Sequence, residues 1–435
     1  MIVNRSLTFS KGLLKHLKNI IEDGSTKEVY RRTSSSFTRE RVFTFSNLVY
    51  FLLGLGKSSN QEELDIFFSD KRVTYTKGAL TQYRSKLNPK LFIHLNNEQC
   101  SYYYKHASRI RKWKGFRLIG IDGSTLQLPY SKELVKGFGH FETRTENGRK
   151  VVLARISQAY DVLNQISIDA QIKHYRTSEL SLCENHLPNL CKQDLLLMDR
   201  AYAAYWLMSK LESEGKSFVI RVKANRWKKA KAFLDSNKKS ELIEVSPSKE
   251  AIYRCKERQI PTDTLKLRLV RVSIESGEDQ VLITNLIDKT HYLTKELQGL
   301  YRKRWAVEES FKLLKTRAEL ENLSGKTARS VLQDFHRIIL RANIGNIIAQ
   351  KLTEKGVKTI NKKRKKHYQI NRTQAYRKTK ILINWMLSKA NNIKDVLEEF
   401  AFLLVKQVEI VRENRSIKRV RRYAARPANF IAYKP

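Results

Sequence analysis

The sequence predicts an α/β protein: a mixed sheet packed by helices, with helical regions flanking it at both ends of the chain. Two observations carry this class. Short apolar runs that end on an acid, FRLIGID closing at Asp122 and LLLMD closing at Asp199, read as buried strands. Around them stand segments whose apolar residues recur three and four apart, as amphipathic helices require. Through the middle of the chain the order is three strands, helix, strand, helix, strand, the pattern of a mixed sheet with helical connections.

Residues 1–110 read as helical. SKGLLKHLKNIIED is amphipathic, and TRERVFTFSNLVYFLLGLG is a buried helix stopped by glycine. SNQEELDIFF, a polar turn SDKRVT and YTKGALTQYRSKL then suggest two short helices around a tight turn. The second carries Lys77, Gln82, Tyr83, Arg84 and Lys86, a helix-turn-helix-like unit with Arg84 as a candidate DNA contact. Such pairs also occur in ordinary helical bundles.

From residue 111 to 223 the texture is strand and helix. After FRLIGID come the strand-like VVLARISQAYDV and NQISIDAQIKHY, the helical SELSLCENHLPNL, the strand LLLMD, the helix AYAAYWLMSKLESEG closed by Gly215, and the strand FVIRVK. Residues 224–288 form a β-rich insertion, with IEV, AIYRCKE, LKLRLVRVSI and DQVLITNL as strand candidates between polar breaks. Residues 289–354 hold a long helix through YRKRWAVEESFKLLK and the helical SVLQDFHRIILRANIGNIIAQKL. Residues 355–435 are basic and helical, for DNA binding or dimerisation: KKRKK, NRTQAYRKTK, a helical run from Ile381, and a tail RSIKRVRRYAAR.

Charge narrows the function. Lys and Arg total 84 against 43 Asp and Glu, a net +41, far beyond what solubility needs and self-repelling in a compact fold. A polyanion is the simple complement, and nucleic acid the commonest one. The basic residues are spread along the chain and not confined to one amphipathic helix, which argues against a membrane surface. The four cysteines form no CxxC pair. Cys183, His186 and Cys191 lack a fourth ligand at zinc-like spacing, so reduced thiols in a reducing, cytoplasmic setting are expected. The apolar stretch near residues 45–56 is too short to span a bilayer.

Three carboxylates stand out. Asp122 and Asp199 end apolar strands, where α/β sheets place function. Each also fits a bland role, since Asp starts turns and caps helices. Glu308 lies in the long helix with Tyr301, Arg304 and Lys315 at offsets 0, 3, 7 and 14 from Tyr301. On a helical wheel these four fall within an arc of about 60°, beside an apolar stripe of Leu300, Val307, Phe311 and Leu314. The same charges also fit a solvated helix face with ordinary pairs along it. Three clustered acids would raise one another's pKa values unless cations neutralise them, and a pair of Mg²⁺ ions suits oxygen ligands and phosphodiester chemistry.

The spacing Tyr301-x2-Arg304-x3-Glu308-x6-Lys315 resembles the YREK signature of bacterial insertion-sequence transposases, in the family founded on insertion sequence four. IDGSTLQL, with Asp122, resembles that family's first acidic block. LLLMDRAYAAY, with Asp199, Arg200 and Tyr202, resembles its second. The resemblance implies a ribonuclease H-like core with a DDE triad of Asp122, Asp199 and Glu308, which bind two Mg²⁺ ions, with Mn²⁺ able to take their place. It implies cut-and-paste transposition: a nick at the transposon end, a hairpin intermediate and strand transfer into target DNA. Tyr301, Arg304 and Lys315 match positions that contact the transposon end, and Trp305 is placed to stack on an unpaired base or to serve as a core aromatic. Arg200 and Lys223 join them as candidate DNA contacts. The partners implied are double-stranded DNA, both terminal inverted repeats and target, and a second copy in a homodimeric synaptic complex at the nucleoid. The strand GEDQVLITNL carries no aromatic where some relatives have a Trp beside the flipped base, and Trp227 is its possible substitute. The alternative is a catalytically inactive, domesticated transposase that only binds DNA.

Overall fold

The structure is a computed structural model that describes residues 2–38, 43–56, 58–69, 75–142, 150–273, 279–388 and 390–411. Most of the polar turn SDKRVT and all of the tail RSIKRVRRYAAR lie outside the described residues. The class is mixed α/β, with a central sheet and many helices. Its strands are β1 (Arg117–Gln127), β2 (His140–Glu142), β3 (Lys150–Asp161), β4 (Ile166–His174), β5 (Asp194–Met198), β6 (Ser217–Val222), β7 (Ser240–Val245), β8 (Leu265–Ser273) and β9 (Asp279–Thr284). The chain divides into two units. The first holds residues 1–109, 125–154 and 312–435, and the second holds 110–124 and 155–311.

The first unit is a helical assembly built on Ala328–Lys363, a helix of 36 residues. Thr327 caps it by accepting from the Ser330 amide at 3.2 Å. Val331, Phe335, Ile338, Ile339, Ile344, Ile347 and Ile348 are all buried, and so are polar residues between them. A helix buried on nearly every side, as this one is from Ser330 to Ala349, is the centre of a bundle there; beyond Gln350 it is mostly half-buried or exposed. Gly345 lets the helix Arg372–Leu387 approach closely, since a Cβ there would stand 2.3 Å from Thr379 Oγ1 and 3.0 Å from the Ala375 carbonyl oxygen. The unit also takes the end of β1, all of β2 and the start of β3, with β2 antiparallel to β3.

The second unit carries the rest of the sheet, in the order β3-β1-β5-β6-β9-β8-β7, with β4 on β3. β1, β5 and β6 are parallel; β6, β9, β8 and β7 are antiparallel. Leu195, Leu196, Leu197 and Met198 of β5 are fully buried, as an apolar run at the centre of a covered sheet should be. At the far end of the β1–β5 pair, Arg117 Nε and Nη2 donate to the two Asp194 carboxylate oxygens at 2.6 and 2.7 Å. This buried fork holds the strands in one register.

Two sequence expectations fail here. AIYRCKE is not a strand but lies mostly in the helix Lys249–Lys256. Ser248 caps that helix from its N-terminal end, and Glu250 pairs with Arg254 four residues on. The single long helix through residues 301–315 is also absent. One helix ends at Arg302, a second runs Trp305–Lys312, and the chain then widens into a π-turn at Leu313–Arg317, closed by the Ala318 amide on the Leu313 carbonyl at 2.9 Å. No Gly or Pro marks the break at Lys303–Arg304, so pattern alone does not reveal it.

Candidate active site

The register of two parallel strands brings the first two acids together. Pairing runs from Arg117↔Asp194 to Ile121↔Met198. Asp122 and Asp199 each lie five residues beyond the Arg117–Asp194 fork, so they stand level on neighbouring strands where the pairing ends. Asp199 also caps the tight turn Arg200–Tyr202, its Oδ1 accepting from the Ala201 amide at 2.6 Å. The cap fixes its side chain and leaves Oδ2 facing Arg221 Nη2 at 4.0 Å.

Glycine brings in the third acid. Gly120 and Asp122 share a face of β1. A Cβ at Gly120 would stand 3.3 Å from Val307 Cβ and 3.1 Å from Val162 Cγ1, so the helix Trp305–Lys312 lies against the bare strand at that point. Glu308, next after Val307, is thereby placed near Asp122. Arg304 links the two, with Nη2 donating to Glu308 Oε1 at 2.7 Å and Nη1 3.8 Å from Asp122 Oδ2. The Tyr301 ring lies 5.8 Å from the Arg304 guanidinium.

The electrostatics reflect this crowding. Burial pushes the Asp122 carboxyl up to about 7; Arg304 pulls against it, and Glu308 and Asp199 add to the rise. Burial also raises Glu179, opposed by Arg155 and reinforced by Asp199. Glu179 is a fourth acid in the neighbourhood: a Cβ on Gly123 would stand 2.8 Å from its Cγ, and it is held by Arg155 Nη1 at 3.1 Å. Burial raises Tyr202 well above its ordinary value, with Glu179, Asp122 and Asp199 contributing. Beneath Asp122 runs a buried chain of hydrogen bonds. Asp169 Oδ2 meets His186 Nδ1 at 2.6 Å, His186 Nε2 meets Ser157 Oγ at 2.9 Å, and Ser157 Oγ donates to the Asp122 carbonyl at 3.1 Å.

Trp305 is 52% exposed, so it is not a core aromatic. Arg200 is exposed in the turn after Asp199, and Lys223 is half-buried just past β6. Lys315 belongs to the first unit, where its Nζ donates to the Thr125 carbonyl. Trp227 packs, partly buried, on the core of the second unit. Arg84 is a correction. It is buried, and its Nε, Nη1 and Nη2 all donate to internal partners, Gln333, Ser324, Ser330 and Asp334, so it ties helices together and is not a surface DNA contact. Sequence reading missed Arg221, Glu179 and the Asp169–His186–Ser157 chain. Arg221 sits two residues before Lys223 in FVIRVK, and its facing partner Asp199 was the one available signal.

A family model described as the transposase DDE domain matches residues 113–344, a span that contains all three acids. The chain belongs to the DDE transposase family. It is 20% identical over 316 residues to the transposase InsG for insertion sequence element IS4 of Escherichia coli, covering 70% of each chain. It is 27% identical over 143 residues to a probable transposase for insertion sequence element IS5377 of Geobacillus stearothermophilus, covering 32% of this chain and 35% of that one. Among solved structures, the piggyBac transposase synaptic complex with hairpin DNA aligns over 93% of this chain and 87% of its own, at 12% identity and a TM-score of 0.45. Membership of the DDE transposase family makes this chain an enzyme that breaks and joins phosphodiester bonds. Among the described residues no helix is long and apolar enough to cross a membrane.

Could these acids hold a metal? Among the described residues no three His, Cys, Asp or Glu side chains converge as a ligand set. The chemistry nevertheless fits a hard divalent cation. The donors are carboxylate oxygens, burial and the neighbouring Glu308 and Asp199 raise Asp122, a shift that a bound cation would reverse, and Arg304 already links Asp122 and Glu308 as a positive charge.

Proposed function

We propose that this transposase moves an insertion sequence by cut-and-paste, with Asp122, Asp199 and Glu308 as its reactive-site carboxylates in a ribonuclease H-like core. The observation that supports this is the equal five-residue offset of Asp122 and Asp199 from the Arg117–Asp194 fork, with Glu308 tied to Asp122 through Arg304. The three acids would hold two Mg²⁺ ions, or Mn²⁺. Bound there, the ions supply Lewis acidity to a phosphodiester and lower the pKa of an attacking water or 3′-hydroxyl.

The chain's own residues do the rest. The Asp199 cap and the Gly120–Val307 contact hold two of the acids before substrate arrives, and Ser157 holds the backbone of the third. Arg304 neutralises Asp122 and Glu308 in the absence of DNA. Tyr301, Arg304, Lys315, Arg200 and Lys223 hold backbone phosphates flanking the scissile one, and Trp305 stacks on an exposed base. Water attacks the phosphodiester at the element end and releases a 3′-hydroxyl. That hydroxyl attacks the opposite strand, displacing its flank and closing a hairpin, which a second water opens. The recovered 3′-hydroxyl then attacks target DNA. Double-stranded terminal inverted repeats and target DNA are the partners, two copies of the chain pair the ends, and the cytoplasm is the setting.

The test is cleavage of a duplex that ends in the element's terminal repeat. Wild type nicks it only with Mg²⁺ or Mn²⁺. Asp122→Asn, Asp199→Asn and Glu308→Gln each lose at least about a hundredfold in rate, the loss expected when several kcal/mol of transition-state stabilisation go. Their DNA affinity stays within about twofold of wild type by the same reasoning, since these acids are assigned no binding role. A wild-type chain that binds but never nicks, or acid variants that nick normally, would sink the assignment.

A further inference from the structure

The first unit contains a cavity of about 360 Å³ whose charge is one-sided. Arg317, Arg337, Arg341, Arg377 and Lys380 line it, against Glu319 as its single acidic wall residue. Partners outside the wall do not balance this. Arg337 shares the Asp334 carboxylate with Arg84, two guanidinium groups on one acid, at 2.8 and 3.2 Å. Lys380 pairs with Glu63 at 3.2 Å. Arg317 and Arg377 are exposed and make no ion pair among the described residues.

Arg341 is the decisive residue. It is 3% exposed, and among the described residues it makes no ion pair with a carboxylate; Glu63, the acid whose charge it feels, pairs instead with Lys380. Its Nη1 donates to the Leu53 and Leu55 carbonyls at 3.1 and 2.8 Å, and its Nη2 to the Arg377 carbonyl at 3.3 Å. Its Nε is buried with no acceptor, and its guanidinium lies 4.7 Å from the Tyr376 ring, another wall residue. Burying a guanidinium without a counter-charge is expensive, and the usual remedy is an anion. Arginine with an aromatic beside it suits a phosphate attached to a flat ring system. The volume exceeds a water's share of about 30 Å³ many times over and falls in the range of small-ligand sites.

We propose that this cavity is a binding site for the phosphate of a nucleotide unit, held by Arg341, Arg317 and Arg377 with Tyr376 as the surface for its sugar or base. None of its residues belongs to the acidic cluster, so it stands whichever acids react. The phosphate has two possible sources, a free nucleotide and the backbone of a DNA strand.

Two measurements on the full chain separate them. The first is calorimetric titration with deoxyadenosine 5′-monophosphate, with deoxyadenosine as the control. The second is duplex DNA binding by anisotropy at several salt concentrations. The variants are Arg317→Ala/Arg377→Ala, both exposed, and Arg341→Met. Wild-type unfolding midpoints in the double variant show that its fold is intact. If the source is DNA, the double variant weakens duplex binding and lowers the slope of log affinity against log salt by about 0.9 for one lost phosphate contact. If the source is a free nucleotide, the monophosphate binds one to one, deoxyadenosine does not, the variant loses at least about tenfold in affinity, and the DNA slope holds. A double variant that matches wild type in both measurements overturns the proposal.

Discussion

Replacing Arg84 separates two readings of one residue. As a DNA contact on a short basic helix, its loss would remove about one phosphate from the interface, lower the salt slope by about 0.9 and leave the fold alone. The structure gives a different outcome. The Arg84 and Asp334 side chains are 5% and 0% exposed, so solvent screens their pairing little. Arg84→Met strips Asp334 of one of its two guanidinium partners and leaves Gln333 Oε1 and the Ser330 carbonyl short of a donor. Breaking a buried pair from one side costs about 3–5 kcal/mol, a large share of the roughly 5–15 kcal/mol that holds a typical domain together. The variant should unfold at clearly lower guanidinium chloride, followed by helix signal. Burial alone would raise Asp334, but Arg84, Arg337 and the hydrogen bonds from Arg337 and Ser324 outweigh it and hold the carboxylate well below the ordinary range. A depressed carboxylate gives its full stability above its unfolded pKa of about 3.9 and loses it as pH falls toward the folded value. The gap between wild type and Arg84→Met should therefore be widest near neutrality and narrow below about pH 4. Adding Asp334→Leu to Arg84→Met should recover part of the loss, because the orphaned charge goes with it. An unchanged midpoint together with a lower salt slope would refute this reasoning and return Arg84 to the DNA surface.

Three further outcomes follow from the site. Arg117→Met breaks the fork that sets the β1–β5 register and should cost about 3–5 kcal/mol in unfolding experiments, with strand nicking falling further than the folded fraction does; nicking that tracks the folded fraction would show the register to be held elsewhere. Ser157→Ala leaves His186 Nε2 and the Asp122 carbonyl without their shared hydroxyl, so a loss of about 1–3 kcal/mol and a lower kcat at unchanged DNA affinity are expected, measured by melting and single-turnover nicking. Trp305→Ala, at an exposed position, should keep the wild-type melting temperature yet weaken binding of an end with unpaired bases by about 1–3 kcal/mol, while fully paired duplex binds as before.

What the sequence showed and what it hid differ by the range of the interactions involved. Apolar runs ending in Asp122 and Asp199 announce buried strands because burial on both faces leaves a local mark; both runs are strands, but Asp122 does not end its own, which continues mostly half-buried to Gln127. The spacing of Tyr301, Arg304 and Glu308 is likewise local, and the one-turn step from Arg304 to Glu308 survives as a 2.7 Å contact even though the helix is broken just before Trp305. Lys315 lies past that helix, in the π-turn Leu313–Arg317, and such a turn has no compositional signal. Arg84 was misread for the complementary reason. Its helix is short and polar, so nothing local distinguishes an inward arginine from an outward one, and its partner Asp334 is 250 residues away. The same distance problem hid Arg221, Glu179 and His186, which reach the acids only through strand order and the packing of separate helices. The excess of positive charge, visible at once, therefore does two different jobs. Some of it is consumed inside the protein, as at Arg84, Arg117 and Arg304, where each guanidinium answers a particular carboxylate. Arg341 forms no ion pair with a carboxylate among the described residues and is held by carbonyl oxygens alone, and a buried cation so placed is the feature that separates a binding surface from scaffold when composition alone cannot.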